Sequence, residues 1–322
     1  FVIMVLLNSC NNKKTLFTQL SPAKTGINFS NRITENDSVN ILDNEYVYNG
    51  GGVAIGDFNN DGLQDVYFTG NMVSNKLYLN KGQMKFEDIT EASGVNGSGR
   101  WCSGVAVVDI NTDGLPDMYV CATLKTNPTD RKNLLYINKG VDKKGIPEFK
   151  EMAAEYGIAD TTYSTNAVFF DYDRDGDLDM FVLVDKIDED RFPNKYHYKN
   201  IDGTAPGTDR LYRNDWSDSL QHPVFTDVSR QAGILIEGFG LGVHVADINR
   251  DGWPDIYVTN DYISNDLLYI NNQNGTFTNK AADYFKHTSF SAMGNDIADI
   301  NNDGLPDIFL TAYIRNFGQG ID

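Results

Sequence analysis

A nine-residue pattern of aspartate, asparagine and glycine recurs five times along the 322-residue chain. It reads Asp-x-(Asp/Asn)-x-Asp-Gly-x-x-Asp and occupies residues 57–65, 109–117, 171–179, 247–255 and 299–307. Oxygen-bearing side chains at alternate positions, with a glycine for the sharp turn, suit a hard cation such as Ca²⁺. One copy alone could be a solvated Asx turn. Five copies with the same offsets predict about five calcium sites.

The predicted ligands take the same positions in every copy. The side-chain ligands are Asp57, Asn59, Asp61 and Asp65 in the first loop, Asp109, Asn111, Asp113 and Asp117 in the second, Asp171, Asp173, Asp175 and Asp179 in the third, Asp247, Asn249, Asp251 and Asp255 in the fourth, and Asp299, Asn301, Asp303 and Asp307 in the fifth. The seventh residue of each loop can add its backbone carbonyl, and these residues are Leu63, Leu115, Asp177, Trp253 and Leu305. The loops hold seventeen aspartates, so much of the formal net charge of −18 belongs to the predicted sites.

The flanks of the loops favour strands over helices. An EF-hand requires a glutamate at position 12 of the loop and a helix on each side. Position 12 is apolar in all five copies, where it is Phe68, Val120, Val182, Val258 or Leu310. Short runs rich in β-branched and aromatic residues flank each loop, as at 104–108 and 118–121 around the second. Each loop is therefore predicted to be the tip of a β-hairpin.

Further motifs extend the repeat to four strands. Leu-Tyr-x-Asn follows four of the loops, at residues 77–80, 135–138, 211–214 and 268–271, and a phenylalanine-led strand comes after it. The first aspartate of the loop recurs at spacings of 52, 62, 76 and 52 residues. This pattern predicts an all-β fold, a β-propeller of four-stranded blades. A linear solenoid is the alternative, and the propeller is favoured because closure protects sheet edges.

The two ends of the sequence bear on export and completeness. An apolar run at residues 1–7 precedes Asn-Ser-Cys10, which we interpret as a signal remnant with a lipobox and Cys10 as the lipidated residue; an ordinary signal peptide is the alternative. We assign residues 1–26 to this remnant and a tether, and residues 27–322 to one propeller domain. The fifth repeat stops after its second strand, so we expect a longer protein. Residues 27–34 could supply an outer strand that closes the ring.

These features together resemble a known repeat family. The carrying residues are the five loops, the lead-in at 50–57, Phe239-Gly240 before the fourth loop, and the Leu-Tyr-x-Asn strands. They are similar to the FG-GAP/VCBS repeats of the integrin α-subunit propeller, and most of all to bacterial VCBS-repeat lipoproteins related to cartilage acidic protein, which often carry an UnbV-type domain. The resemblance spans about residues 27–312 and implies a calcium-stabilised propeller outside the cytoplasm. It implies function weakly, because one scaffold hosts many activities.

Several side chains outside the loops could carry function. His244 and Asp296, in the first strands of the fourth and fifth repeats, could meet in the central channel as a polar pair or as an acid/base pair. Cys102 and Cys121 could form a cross-strand disulfide or remain buried thiols. The longest insertion could form a ligand-binding loop or be packed by its own tyrosines, and its candidate residues are Arg191, Tyr196, His197 and Tyr198.

Two classes of function fit these features. The first is a non-enzymatic calcium-binding module that mediates adhesion to an extracellular protein or polysaccharide at the cell envelope, as an outer-membrane lipoprotein facing the cell surface or the periplasm. The second is a calcium-dependent, lyase-like enzyme that degrades polysaccharide. The membrane is contacted only through a lipid anchor, since no segment of the sequence is long enough to span it. Nucleic acid is excluded as a partner, because the acidic chain has no basic patch to meet phosphate.

Overall fold

The computed structural model describes residues 16–97, 99–186, 198–262 and 264–313. Within these ranges the chain forms short antiparallel strands that pair in the order in which they occur. The strands are β1 Val53–Gly56, β2 Asp65–Phe68, β3 Lys76–Asn80, β4 Phe86–Asp88, β5 Cys102–Val108, β6 Asp117–Ala122, β7 Leu134–Val141, β8 Pro147–Glu151, β9 Ser164–Phe170, β10 Asp179–Val184, β11 Arg210–Ser217, β12 His222–Asp227, β13 Gly240–Ala246, β14 Asp255–Asn260, β15 Leu267–Asn271, β16 Phe277–Asn279, β17 Ala292–Ala298 and β18 Asp307–Ala312.

The strands group into five blades. Blades 1 to 4 are the four-stranded sheets β1–β4, β5–β8, β9–β12 and β13–β16, and blade 5 consists of β17 and β18 in the described part of the chain. All-β architecture and four-stranded blades are therefore confirmed for blades 1 to 4. Each predicted calcium loop joins the first and second strands of its blade, as the sequence predicted.

Short helical turns link and flank the blades. They are α1 Pro22–Thr25, α2 Thr90–Ser93, α3 Ser229–Ala232 and α4 Ala281–Tyr284, with a 3-10 turn at Pro128–Arg131. The first residue of α2 and of α3 ties its turn to the third strand of the same blade. Leu77 N donates to Thr90 Oγ1 (3.0 Å), and Leu211 N donates to Ser229 Oγ (2.9 Å). These turns therefore end each outer strand and direct the chain to the next blade.

The hydrophobic core lies between blades. All six residues of β6, β10 and β14 are buried, because a neighbouring blade covers each face of these strands. One apolar cluster joins Tyr119 of blade 2 to Val182 of blade 3, and another joins Phe181 of blade 3 to Val258 of blade 4. Strands that are covered on both faces read as continuous apolar runs, which is why the sequence identified them so clearly.

Glycines let the innermost strands approach one another. A Cβ at Gly52 would lie 2.8 Å from Ser103 O of blade 2, and one at Gly104 would lie 2.6 Å from Thr165 O of blade 3. Both distances are shorter than ordinary contacts, so a side chain at either position would force the strands apart. Close approach of the first strands of consecutive blades is expected when blades are arranged around an axis.

The segment before β1 shows that the blades curve round instead of stacking in a line. The Asn71 side-chain amide of blade 1 donates to Gly50 O (3.0 Å), while the Tyr46 hydroxyl donates to Asp261 of blade 4 (3.0 Å). Asn49 N donates to Tyr46 O (3.0 Å), so the intervening residues form a turn. A β-turn holds its ends within about 7 Å. A linear stack would separate blades 1 and 4 by three spacings of about 10 Å.

One prediction about the ends of the chain was wrong. Residues 27–34 form no strand, and instead pack on blade 1, where the Phe29 ring stacks on Phe68 with centroids 5.0 Å apart. Asn31 also donates to the Asn71 side chain (2.6 Å). These contacts hold the segment against blade 1 and leave it unavailable as an outer strand for blade 5. The predicted lipidation residue Cys10 lies outside the described residues.

Candidate calcium loops

The five loops share one hydrogen-bond network. In the first loop, the carboxylate of Asp57 accepts from Asp61 N (3.0 Å) and Gly62 N (2.8 Å). The first aspartates of the other loops, Asp109, Asp171, Asp247 and Asp299, accept from the backbone at the same two offsets at 2.8–3.1 Å. The same residue types at the same offsets therefore fold the backbone into one conformation in every blade.

The backbone takes the left-handed conformation twice in each loop. The glycine at position 6 has φ between 83° and 102° in the five loops: Gly62, Gly114, Gly176, Gly252 and Gly304. At Gly62, Gly114, Gly176 and Gly304 a Cβ would meet nothing within 4 Å. The glycine is therefore required by the backbone angle and not by lack of space. Position 4 is also left-handed, with φ of 55–63°, at Asn60, Thr112, Arg174, Arg250 and Asn302.

The last aspartate of the loop ties the tip to the rest of its blade. Asp117 is fully buried, and its carboxylate accepts from Ile110 N (3.1 Å) within the loop and from Asn138 N (2.7 Å) on β7. The equivalent aspartates of blades 1, 3 and 4 are also fully buried and make the same pair of bonds: Asp65, Asp179 and Asp255. These residues stabilise the hairpin in addition to their predicted role as ligands.

Burial leaves these carboxylates with a strong tendency to hold a proton. It raises the pKa of Asp65 to about 6, of Asp117 to about 7 and of Asp179 to about 8, against an ordinary value of 3.8. The backbone N–H donors act in the opposite direction, and the other loop carboxylates raise the pKa further. A bound cation would favour the ionised form, because an opposite charge close to a carboxylate stabilises its charged state.

The third loop brings three acidic side chains into range of a single ion. Asp171, Asp173 and Asp179 each offer a carboxylate oxygen, and these oxygens all lie within 4.8 Å of one another. One buried oxygen of Asp173 and one of Asp177 have no hydrogen-bond partner in the part of the chain that the structure describes. Within the described ranges this is the one such group of three or more acidic, histidine or cysteine side chains. An all-oxygen donor set with unsatisfied buried oxygens fits a hard cation.

Position 3 distinguishes the third loop from the others. It is Asn in the other four, and in three of those its amide donates to the aspartate at position 5, as Asn59 does to Asp61 (3.0 Å). The position 5 aspartates also accept from the N–H of the predicted carbonyl ligands at position 7, including Leu63 (2.9 Å) and Trp253 (2.9 Å). Coordination by those carbonyls stays a prediction. The asparagine loops thus hold their carboxylates partly through internal hydrogen bonds.

In blades 2 and 4, the asparagine of the Leu-Tyr-x-Asn motif connects the loops of adjacent blades. Asn138 Nδ2 of blade 2 donates to Phe58 O in the loop of blade 1 (2.9 Å) and to Pro116 O in its own loop (3.2 Å). Asn271 Nδ2 of blade 4 likewise donates to Tyr172 O in the loop of blade 3 (2.8 Å). The motif was recognised in the sequence as a strand marker, but its role between blades needed the three-dimensional arrangement.

The structure tests two residue pairs that the sequence predicted outside the loops, the His244–Asp296 pair and the Cys102–Cys121 pair. His244 and Asp296 do meet across blades 4 and 5, with Nδ1 and Oδ1 3.4 Å apart. Cys102 and Cys121 are both free and buried, so the disulfide alternative was wrong. The reason is register: Cys102 pairs with Ala122, which directs Cys102 and Cys121 into different apolar clusters on the two faces of the sheet.

A groove lies between the third and fourth loops. It has a volume of about 580 Å³ and is lined by Tyr172, Asp173, Arg213, Trp253 and Gln273 among others. The Arg174 guanidinium lies 5.3 Å from the Trp253 ring centroid. Of the predicted ligand-loop residues, Tyr198 is 89% exposed, whereas Arg191, Tyr196 and His197 lie outside the described residues. The groove was not predicted, because its walls come from different repeats.

Sequence reasoning also missed two buried acidic residues at the far ends of the second strands. Asp185 and Asp261 follow β10 and β14 directly, and both are nearly fully buried, with 5% and 7% exposure. Each lies fourteen residues after the first aspartate of its loop. A comparison of the repeats at this offset could have found them, since a carboxylate at the end of a buried strand is unusual.

Blades of four antiparallel strands, each with an acidic loop at the same hairpin, define a β-propeller repeat protein. The sequence profile described as FG-GAP-like repeat matches residues 40–120 and 247–310 of this chain. The third blade lies outside those two ranges but has the same strand order and loop network. Among the described residues, no helix is long and apolar enough to cross a membrane.

The chain is similar in sequence to cartilage acidic protein 1 and to integrin alpha-6, among other proteins. Cartilage acidic protein 1 of Xenopus tropicalis is 24% identical over 66% of this chain and 29% of that protein, and the human form is 23% identical over 76% of this chain and 33% of that protein. Human integrin alpha-6 is 35% identical over 26% of this chain and 8% of that protein. The chain spans about a third of the length of the cartilage acidic proteins it matches.

Proposed function

We propose that this chain is a calcium-stabilised propeller that acts as a non-enzymatic binding module outside the cytoplasm. The observation that carries the proposal is the repeated loop, in which five copies share the same backbone hydrogen bonds to the first aspartate and the third brings three carboxylates together within 4.8 Å. The FG-GAP-like repeats and the similarity to integrin alpha-6 support a binding or adhesion role. Export with lipidation at Cys10, at an outer membrane, is part of the same proposal.

Calcium is expected to be structural in this module. Extracellular modules bind Ca²⁺ with a Kd of about 10⁻⁴–10⁻³ M. At tenfold excess over Kd, each occupied site adds about 1.4 kcal/mol to the free energy of unfolding. Because Asn138 and Asn271 join loops of adjacent blades, an ordered loop also helps to order its neighbour.

The groove beside the third loop is the proposed binding surface. Its volume of about 580 Å³ is within the range of small-molecule and glycan subsites, and it combines aromatic rings with carboxylate, amide and guanidinium groups. Asp173 and Asp175 of the third loop and Trp253 of the fourth line it. Its shape therefore depends on two calcium loops, and ligand binding should depend on calcium.

A binding screen tests this function. The chain would be applied to immobilised polysaccharides and extracellular-matrix proteins in millimolar Ca²⁺ and in EDTA. We expect retention in Ca²⁺ that is lost in EDTA and that falls roughly tenfold in Trp253→Ala, which removes an aromatic wall of the groove. Trp216→Ala is the matched control, since Trp216 is 54% exposed on β11 and does not line the groove. Binding that is unaffected by both EDTA and Trp253→Ala would refute the proposal.

A further inference from the structure

A buried carboxylate without a partner lies at the end of the blades opposite the loops. Asp185 follows β10 and is only 5% exposed. Among the described residues, neither of its two carboxylate oxygens accepts a hydrogen bond of ordinary geometry, although the Tyr46 hydroxyl lies close enough to act on the carboxylate and lower its pKa. Its backbone N donates to Tyr163 O (2.9 Å). Buried polar side chains are nearly always hydrogen-bonded, so an orphaned pair of acidic oxygens indicates a missing partner.

A second buried carboxylate lies beside it. Asp261 occupies the equivalent position after β14 and is 7% exposed. Phe239 links the two, because it forms an isolated β-bridge with Asp185 and its carbonyl accepts from Asp261 N (2.9 Å). Burial raises the pKa of Asp185 well above its ordinary value, and the negative charge of Asp261 raises it further. Two acidic groups therefore share one low-dielectric seam between blades 3 and 4.

Tyr46, in the segment before β1, places its hydroxyl group at this seam. The Tyr46 hydroxyl donates to Asp261 Oδ2 (3.0 Å), and the charges of both Asp185 and Asp261 act on it. Thr208, which is fully buried nearby on the way into β11, also has a hydroxyl without a partner. The polar groups at the seam therefore include the carboxylates of Asp185 and Asp261, and the buried carboxylate of Asp209 also acts on Asp185.

No counter-charge from the described residues neutralises the pair. Neither Asp185 nor Asp261 forms an ion pair with a lysine or arginine of this part of the chain. Lys186, the next residue after Asp185, instead places its ammonium 4.4 Å from the centroid of the Tyr163 ring. Ionised carboxylates that are removed from water without a cation are strongly disfavoured.

We propose that Asp185 and Asp261 hold a hard divalent cation of the Ca²⁺ type in the seam between blades 3 and 4, separate from the five loops. An all-oxygen set with two carboxylates matches the preference of such ions. The ion would neutralise both buried acids and provide the partner that Asp185 lacks. Through Tyr46 it would also hold the segment before β1 against blade 4.

Counting bound ions tests the site. Native mass spectrometry of the whole chain in CaCl₂ would compare wild type with Asp185→Asn and Asp261→Asn, two isosteric changes that keep shape but remove charge. We expect each variant to bind one Ca²⁺ fewer than wild type. Asp283→Asn, which changes an exposed carboxylate paired with Lys280 (3.0 Å), should keep the wild-type count. Circular dichroism would confirm that every variant is folded.

The outcomes separate this site from the loops. Asp171→Asn should remove an ion from the third loop and leave the ion that depends on Asp185, so failure of the loops and failure of this site are distinguishable. Equal ion counts in wild type and Asp185→Asn would overturn the proposal. So would an Asp185→Asn variant that melts higher than wild type by the same amount in Ca²⁺ and in EDTA, because Asp185 would then be buried as a neutral acid.

Discussion

At the scale of single residues, the asparagine that ends Leu-Tyr-x-Asn shows how one side chain serves two blades. Asn138 is fully buried, its backbone N donates to Asp117, and its side-chain amide donates to carbonyls of its own loop and of the loop in blade 1. The loop of blade 1 therefore depends on blade 2 for part of its hydrogen bonding. In blades 2 and 4, the asparagine that marks the third strand in the sequence also joins neighbouring repeats.

Asn138→Ala should destabilise the protein by about 2–3 kcal/mol, because it removes the donor to the buried Phe58 carbonyl and to the partly buried Pro116 carbonyl. Asn80→Ala is the matched control, since Asn80 is half-buried and its amide donates only to Gln64 O of its own loop (2.8 Å). Urea unfolding would measure both free energies of unfolding. Equal losses in the two variants would contradict a role between blades.

At the scale of elements, the first strands are limited by how closely they approach. Gly52 and Gly104 lie on or beside innermost strands whose neighbours leave no room for a Cβ. Gly294 of β17 is the exception, because the nearest atom to its Cβ would be Thr311 Oγ1 at 3.4 Å. The same position in the repeat is therefore restrictive only where a further blade packs against it.

Gly104→Ala should lower the free energy of unfolding by about 1–3 kcal/mol, because the new methyl group would collide with the Thr165 carbonyl and force β5 away from β9. Gly294→Ala should change it by less than about 0.5 kcal/mol, since only a flexible hydroxyl lies in contact. Thermal unfolding of the two alanine variants would provide the comparison. A larger loss in Gly294→Ala would contradict this packing of the blades.

At the scale of the whole molecule, local sequence patterns were sufficient to predict the blades and the order of the strands within them. The five loops, their apolar position 12 and the Leu-Tyr-x-Asn strands are short-range signals, and they predicted the hairpins and the strand order within blades 1 to 4. These short-range signals could not predict which distant segments of the chain contact one another. The packing of Phe29 on Phe68 and the meeting of Tyr46 with Asp261 depend on where the blades lie in space.

The candidate site was predicted unevenly for the same reason. The five loops follow from residue type and spacing, so the sequence identified all of them, and calcium ligation by their side chains stays a prediction. The groove at Trp253 and the acidic pair Asp185 and Asp261 combine residues from different repeats. Their proximity follows from blade packing, which no single repeat encodes.

The dependence of thermal stability on calcium tests the central claim most directly. Calorimetry of the whole chain in millimolar Ca²⁺ and in EDTA would be compared with Asp171→Asn, and with Asp218→Asn as an exposed control. Five sites at about 1.4 kcal/mol each predict that EDTA lowers the melting temperature by roughly 10 °C or more. Asp171→Asn should show a smaller calcium-dependent shift than wild type and control. An unchanged melting temperature in EDTA would contradict calcium-stabilised loops.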